Sequence, residues 1–253
     1  MTEKSLLNAQ AQAPPAAKPE LRKRFYTSAT FEQNEGMWCV LLDGRSVRTP
    51  DKHLLRVPSQ TLAAALAAEW EAQVDAINPE AMPLTRIVNT ALDGVSNVKD
   101  KVRDEIAKFA GDDLLCYRAE HPQDLIDRQN LVWDAPLAWL KERHEITFQT
   151  GAGLMPIRQQ QKELHKFRHL LNAYETFHLA ALHTVVTLTG SAVLGYAVLT
   201  GHLTKEEAWR AAHVDEDWQI SKWGADAEAK ARRAYRWREY CAAVEIMNAV
   251  PHL

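Results

Sequence analysis

Met37-Trp-Cys-Val-Leu-Leu-Asp-Gly-Arg-Ser-Val-Arg-Thr49 is the stretch on which the fold turns. Asp43-Gly44 stands between two runs of β-forming residues. A two-residue type I′ hairpin needs positive φ at both central positions, and Asp and Gly tolerate it best. The stretch therefore predicts antiparallel strands over residues 37–42 and 46–49. On the N-terminal side, residues 24–31 carry β-formers and are joined to the hairpin through the turn Asn34-Glu35-Gly36. On the C-terminal side, Pro50-Asp51 turns the chain again, and residues 53–57 make a fourth strand. The result is a small antiparallel meander. Pro58-Ser59 then opens a helix in which Leu62, Leu66, Trp70, Val74 and Ile77 recur every three or four residues, giving one apolar stripe that ends near Asn78-Pro79. One helix laid on such a meander makes a compact α+β unit.

From Met82-Pro83 onward few strand patterns return. Helices are predicted over residues 84–92, 95–110, 122–143 (with Pro136 marking a bend), 159–173, 176–188, 191–199 and 225–250. Residues 114–117 read as an extended link and 146–156 as a loop. The 18 residues 184–201 carry no charge and approach the length of a membrane span. Gly190, Ser191, Gly195 and four threonines interrupt them, so we read two core helices broken at Thr189-Gly190-Ser191. The expected fold class is α+β. A small antiparallel β-containing N-terminal domain (21–80) is followed by a larger all-helical, orthogonal bundle-like domain (81–253). Residues 1–20, with Pro14, Pro15 and Pro19 among many Ala and Gln, read as a disordered tail. They lack an apolar signal core.

Composition sets further bounds. A formal net charge of −3 over 253 residues gives no electrostatic reason to bind nucleic acid. Cys39, Cys116 and Cys241 are far apart and odd in number, which points to reduced thiols in a cytosol-like compartment. Neither a dinucleotide fingerprint nor a G-x-S-x-G elbow is present, since Gly151-Ala-Gly153 lacks a third glycine. His165 and His169 share a helix face, but Lys162, Lys166 and Arg168 around them repel a divalent cation, so a surface helix is expected and no metal site. His178 and His183, five apart, are expected as polar residues of a core or interface. Glu69 reads as a boundary charge and Asp112-Asp113 as helix-capping or loop carboxylates. Arg45 and Arg48, around the hairpin, can bind an acidic group.

The remaining candidate lies in residues 204–224. Thr204 with Glu207 makes a capping box, and Gly224 ends the helix. At about 100° per residue, Trp209, Ala212, Glu216, Ile220 and Trp223 fall on one side. Val214 and Trp218 fall on the other, flanked by Asp215 and Asp217. A helix with aromatics on two sides is either buried between neighbours or docks something. Glu216 is either a structural ion-pair partner or a recognition carboxylate. An acid/base hydrolase using Glu216 and His213, with or without a metal, is the enzymatic alternative, and it lacks a second motif.

Four stretches carry a resemblance. They are Arg24-Phe-Tyr26 with Leu42-Asp-Gly-Arg-Ser-Val-Arg-Thr-Pro50; Glu69-Trp70 with Gln73; Met82-Pro83-Leu84-Thr85; and Asp215-Glu-Asp-Trp-Gln-Ile-Ser-Lys-Trp-Gly224. In this order they resemble the ATP synthase F1 assembly chaperones that act on the F1 alpha subunit. The resemblance implies a non-enzymatic chaperone without a cofactor that binds the unassembled alpha subunit, shields the surface meant for beta, and releases it into the hexamer. It implies that Glu216 is functionally important. Since residues 1–20 do not look like a mitochondrial presequence, it also implies a bacterial, cytoplasmic protein. We take Asp215, Glu216, Trp218, Gln219 and Trp223 as the partner-binding set. Trp218, Asp215 and Asp217 are expected outside, with the other side of the helix packed on residues 176–199.

Overall fold

The computed structural model describes residues 21–153 and 155–251. The expected tail at 1–20 lies outside the described residues. Strands β1 (Ala29–Asn34) and β2 (Met37–Leu42) pair antiparallel, with Asn34 opposite Met37 and Ala29 opposite Leu42. Both turns flanking β2 adopt the left-handed conformation, at Glu35-Gly36 (φ 50° and 78°) and Asp43-Gly44 (φ 47° and 75°). The Asp43 carboxylate also accepts the backbone N–H of Thr27 and Ser28 at 2.9–3.1 Å. The turn residue thus pins the segment that enters β1.

Two details differ from the expected meander. The first strand begins at Ala29 rather than at 24, because residues 24–27 are tied to a helix instead. Arg24 donates to the carbonyls of Tyr26, Thr27, Glu71 and Gln73, and Tyr26 Oη donates to the Trp70 carbonyl at 2.6 Å. Strands β3 (Arg45–Ser46) and β4 (Arg56–Val57) do not follow each other across the sheet. They share one edge of β2, with β3 on Leu41–Leu42 and β4 on Trp38–Cys39. Buried Val47 and Leu55 are stitched to Val40 between them by backbone hydrogen bonds of 2.9–3.2 Å.

Helix α1 (Gln60–Glu71), capped by Ser59 Oγ on the Leu62 N–H, lays Leu62, Ala63, Leu66 and Ala67 on the sheet. It stops six residues short of Ile77, leaving Val74 77% exposed. The carbonyls of Glu71 and Gln73 are taken by Arg24, and Gln73 Oε1 accepts the Asn78 N–H, so the chain turns away. Helix α2 (Pro83–Asp93) begins where the Glu69 carboxylate accepts the N–H groups of Leu84 (2.9 Å) and Thr85 (2.8 Å). Glu69, expected as a boundary charge, therefore caps a neighbouring helix, and its burial raises its pKa.

The helical part continues with α3 (Lys99–Gly111), α4 (Gln123–His144, Pro136 within it), α5 (Gln161–Leu170), α6 (Thr176–Thr189) and α7 (Ala192–Leu199). The C-terminal run is α8 (Lys205–Ala212), α9 (Val214–Trp223) and α10 (Ala227–Ala249). A short parallel pair, β5 (Tyr117–Arg118) with β6 (Gly151–Ala152), was expected only as link and loop; two residues are too few to leave a periodicity.

The uncharged stretch is two helices, as read. Gly190 (φ 70°) ends α6, and Ser191 Oγ caps α7 on the Leu194 N–H. Among the described residues no helix is long and apolar enough to cross a membrane. Asp113 is fully buried and accepts from the Leu115 and Val193 N–H groups, each at 3.0 Å, so it caps α7 from afar; burial lifts its carboxyl to about 6. The apolar core runs unbroken from Val40, Leu62 and Leu66 through Val88 and Ile106 to Leu182, Leu194, Tyr240 and Ile246. Helix α10 lies along both α6 and α2, and touches α1.

Candidate functional site

The predicted capping box is present. Thr204 Oγ1 accepts the Glu207 N–H at 3.2 Å, and the Glu207 carboxylate accepts the Thr204 N–H at 2.9 Å. The helix it opens does not run through to Gly224. It divides at His213, whose backbone (φ −120°, ψ 21°) leaves helical geometry. The His213 ring is buried, lies tilted against Trp209 at 4.0 Å and places Nδ1 2.7 Å from the Trp209 carbonyl. That hydrogen bond assigns the proton to Nδ1. Burial lowers the pKa of the ring and keeps it neutral.

The break rotates everything downstream of it, so a stripe drawn on a continuous helix misplaces the second half. Trp209 is buried against Trp237 and Tyr240 of α10, at centroid distances of 5.2 and 5.1 Å. Trp223, drawn on the same stripe, is 74% exposed. Trp218, expected outside, is 8% exposed and faces α4, where its indole N–H donates to Asp124 Oδ2 at 3.0 Å. Lys222 pairs with the same carboxylate at 2.8 Å. Asp215, also expected outside, accepts from Gln129 Nε2 of α4 at 2.7 Å. Thus α9 packs on α4, while α8 is the helix that meets α7. Of the residues 176–199 named in the expectation, α7 packs on α8, and the acidic helix takes its main support from α4.

The other side of α9 forms an open groove with the start of α10, about 640 Å³ in volume. Glu216, Gln219, Ile220 and Trp223 line it from α9, and Lys230, Arg232 and Arg233 from α10. Arg233 is hydrogen-bonded to Asp217, and its guanidinium lies 3.9 Å from the Glu216 carboxylate. The Asp217 contact raises the pKa of Arg233. Glu216 Oε2 is also 3.9 Å from His213 Nε2. With the proton on Nδ1, that pair sets a lone pair against a carboxylate and holds no proton to transfer. Glu216 is therefore half-exposed, oriented by Arg233 and free to accept further hydrogen bonds. Trp223 supplies an apolar plate beside it, braced edge-on by Trp218 at 5.5 Å.

The structure brings Glu216, Gln219 and Trp223 to one surface and puts Trp218 and Asp215 behind it. The spacing rules missed Arg233, Lys230 and Arg232, which stand in the next helix. Their only sequence mark is a basic run facing an acidic one. The remaining candidates lie elsewhere. His165 and His169 are exposed on α5. His178 is buried, and His183 lies 3.3 Å from Glu105. Among the described residues no group of three His, Cys, Asp or Glu is placed to hold a metal ion.

The stretches that carried the resemblance fall into two sets. Arg24, Tyr26, Glu69, Gln73 and Leu84–Thr85 interlock at the junction of β1, α1 and α2 through the hydrogen bonds above. The acidic-aromatic stretch alone borders the α9–α10 groove.

An exposed aromatic plate, an oriented carboxylate and a cationic opposite wall are features suited to docking a protein. The model of the ATP12 chaperone protein family matches residues 23–141. The Atp12 crystal structure from Paracoccus denitrificans is 36% identical and superposes with a TM-score of 0.84, covering 91% of this chain and 99% of that one. The Atu1473 protein of Agrobacterium tumefaciens is 43% identical with a TM-score of 0.87, over 90% of this chain and 86% of that one. The mitochondrial protein atp12 of Schizosaccharomyces pombe is 26% identical over 233 residues, 85% of this chain and 78% of its own length. The chain belongs to the ATP12 chaperone family, the ATP synthase assembly chaperones.

Proposed function

We infer that this chain binds the unassembled F1-ATPase alpha subunit, covers the surface that later meets beta, and promotes assembly of the F1 hexamer. The observation that carries the reading is the pairing of exposed Trp223 with half-exposed Glu216 on one open groove. Trp223, 74% exposed at the end of α9, offers a large rigid ring of the kind that anchors protein interfaces. An isolated alpha subunit presents an apolar assembly surface of the kind that aggregates when uncovered. An aromatic anchor beside a charge gives specificity while leaving the complex open to displacement by beta. In this reading Trp223, Gln219 and Glu216 touch the client, and Trp218 and Asp215 hold α9 on α4 behind them. Bacterial relatives in Paracoccus and Agrobacterium favour a bacterial, cytoplasmic protein.

The hydrolase alternative has weaker support. His213 is buried with its proton facing Trp209, and the groove around Glu216 is open. Glu216→Lys should abolish suppression of alpha-subunit aggregation while shifting Tm little, since ion pairs at this exposure contribute about 1 kcal/mol or less. Full protection by a Glu216→Lys protein would remove Glu216 from the contact. Failure of the unsubstituted chain to protect alpha would remove the client.

A further inference from the structure

A second groove of about 840 Å³ lies between the 21–26 segment, the Asp43–Arg48 hairpin and the end of α1. Its floor is apolar, built from Leu42, Val47, Trp70 and Ile77, with Phe25 standing 57% exposed at its lip. Its rim is cationic, with Arg22, Arg45 and Arg48. The one carboxylate of the rim, Asp43, is already held by the Thr27 and Ser28 N–H groups. The Arg45 side chain is exposed and forms no hydrogen bond or ion pair among the described residues. Arg22 lies 4.4 Å over the Phe25 ring, and Arg48 reaches only the Lys52 carbonyl at 2.7 Å.

We propose that this groove binds an extended peptide segment of a partner protein that alternates apolar and acidic side chains. Apolar side chains cover Phe25 and fill the floor. Carboxylates pair with Arg45 and Arg22. Charge complementarity selects this occupant over the chain's own residues 1–20, whose Glu3 and Glu20 are balanced by Lys4 and Lys18. It also selects against nucleic acid, because the chain as a whole carries a net charge of −3. The proposal does not depend on which ATP synthase subunit occupies the α9–α10 groove.

The test is fluorescence anisotropy on the full chain with a labelled octapeptide alternating glutamate and leucine. A lysine–leucine peptide of the same length and a single-stranded oligonucleotide are the controls. The acidic peptide should bind at least about tenfold more tightly than either control, and more weakly as salt is raised. Arg45→Glu should weaken it by about tenfold or more, and Phe25→Ala should do so without touching charge. Glu216→Lys should leave it unchanged, which separates this site from the client groove. Equal binding of both peptides, tighter binding of the oligonucleotide, or indifference to both Arg45→Glu and Phe25→Ala overturns the proposal. So does displacement of the acidic probe by a synthetic peptide of residues 1–20 at equal affinity, or loss of binding on dilution through a dimer.

Discussion

Trp218 and Trp223, five positions apart on one short helix, have opposite jobs. Trp218 is packed on α4 and hydrogen-bonded to Asp124, so Trp218→Ala should cost about 3–5 kcal/mol of stability. Trp223→Ala removes an exposed ring and should change stability by about 0.5 kcal/mol or less. Chemical denaturation of the two variants measures the split, and equal losses would mean that Trp223 is part of the core. In client binding the order reverses for any variant that stays folded. This division was not legible in the sequence, because periodicity assumes an unbroken axis and His213 breaks it. The Thr204–Glu207 box and the Gly224 stop were legible, since each depends on residues within four positions of one another. Asp113 shows the same limit: its neighbour in the fold is 80 positions away at Val193, so spacing could show a capping carboxylate but not which helix it caps. Its folded pKa of about 6 lies above its unfolded value of 3.8, so the folded state holds the proton more tightly. Its contribution to stability is complete below about pH 4 and is lost as pH rises through about 6. Asp113→Asn should flatten that part of the curve of Tm against pH, and an unchanged slope would assign the titration to another group.

At the scale of elements, the sheet and most helices followed from local pattern. The type I′ turns, the strong Leu62–Leu66 stripe and the Gly190 break all appear where the residues placed them. What local pattern could not show is how ends are tied down. Arg24 stops α1 early by taking its last carbonyls, and Glu69 starts α2 by capping it from another helix. These ties explain why the motifs around residues 24, 69 and 82 belong together, although they lie far from the α9–α10 groove. Helices α6 and α7 approach closely at Gly195. A Cβ on Gly195 would come within 2.8 Å of a Val186 methyl and 3.0 Å of Leu182. Gly195→Ala should therefore destabilise by about 1–3 kcal/mol, although alanine is the better helix former. A more stable Gly195→Ala protein, read from the denaturation midpoint, would mean the two helices can separate at little expense.

For the whole molecule, one continuous core joins the sheet to the helical part, and α10 is the element that spans it. The same helix supplies Arg233 to the α9–α10 groove at its start and packs beside α2 further along. That helix is anchored through its C-terminal half, where Tyr240, Val244 and Ile246 are buried, and its exposed start is tied to α9 through Arg233 and Asp217. Fold class was readable from composition and turn chemistry, whereas the site required two helices whose relation no spacing encodes. The central claim is capture of one subunit before its partner arrives. Size-exclusion chromatography of this chain mixed with isolated F1 alpha subunit tests it directly. The account predicts a soluble complex holding one copy of each chain, absent with Glu216→Lys and dissolved when beta subunit is added. Alpha eluting without this chain, or a complex that beta leaves untouched, would contradict it.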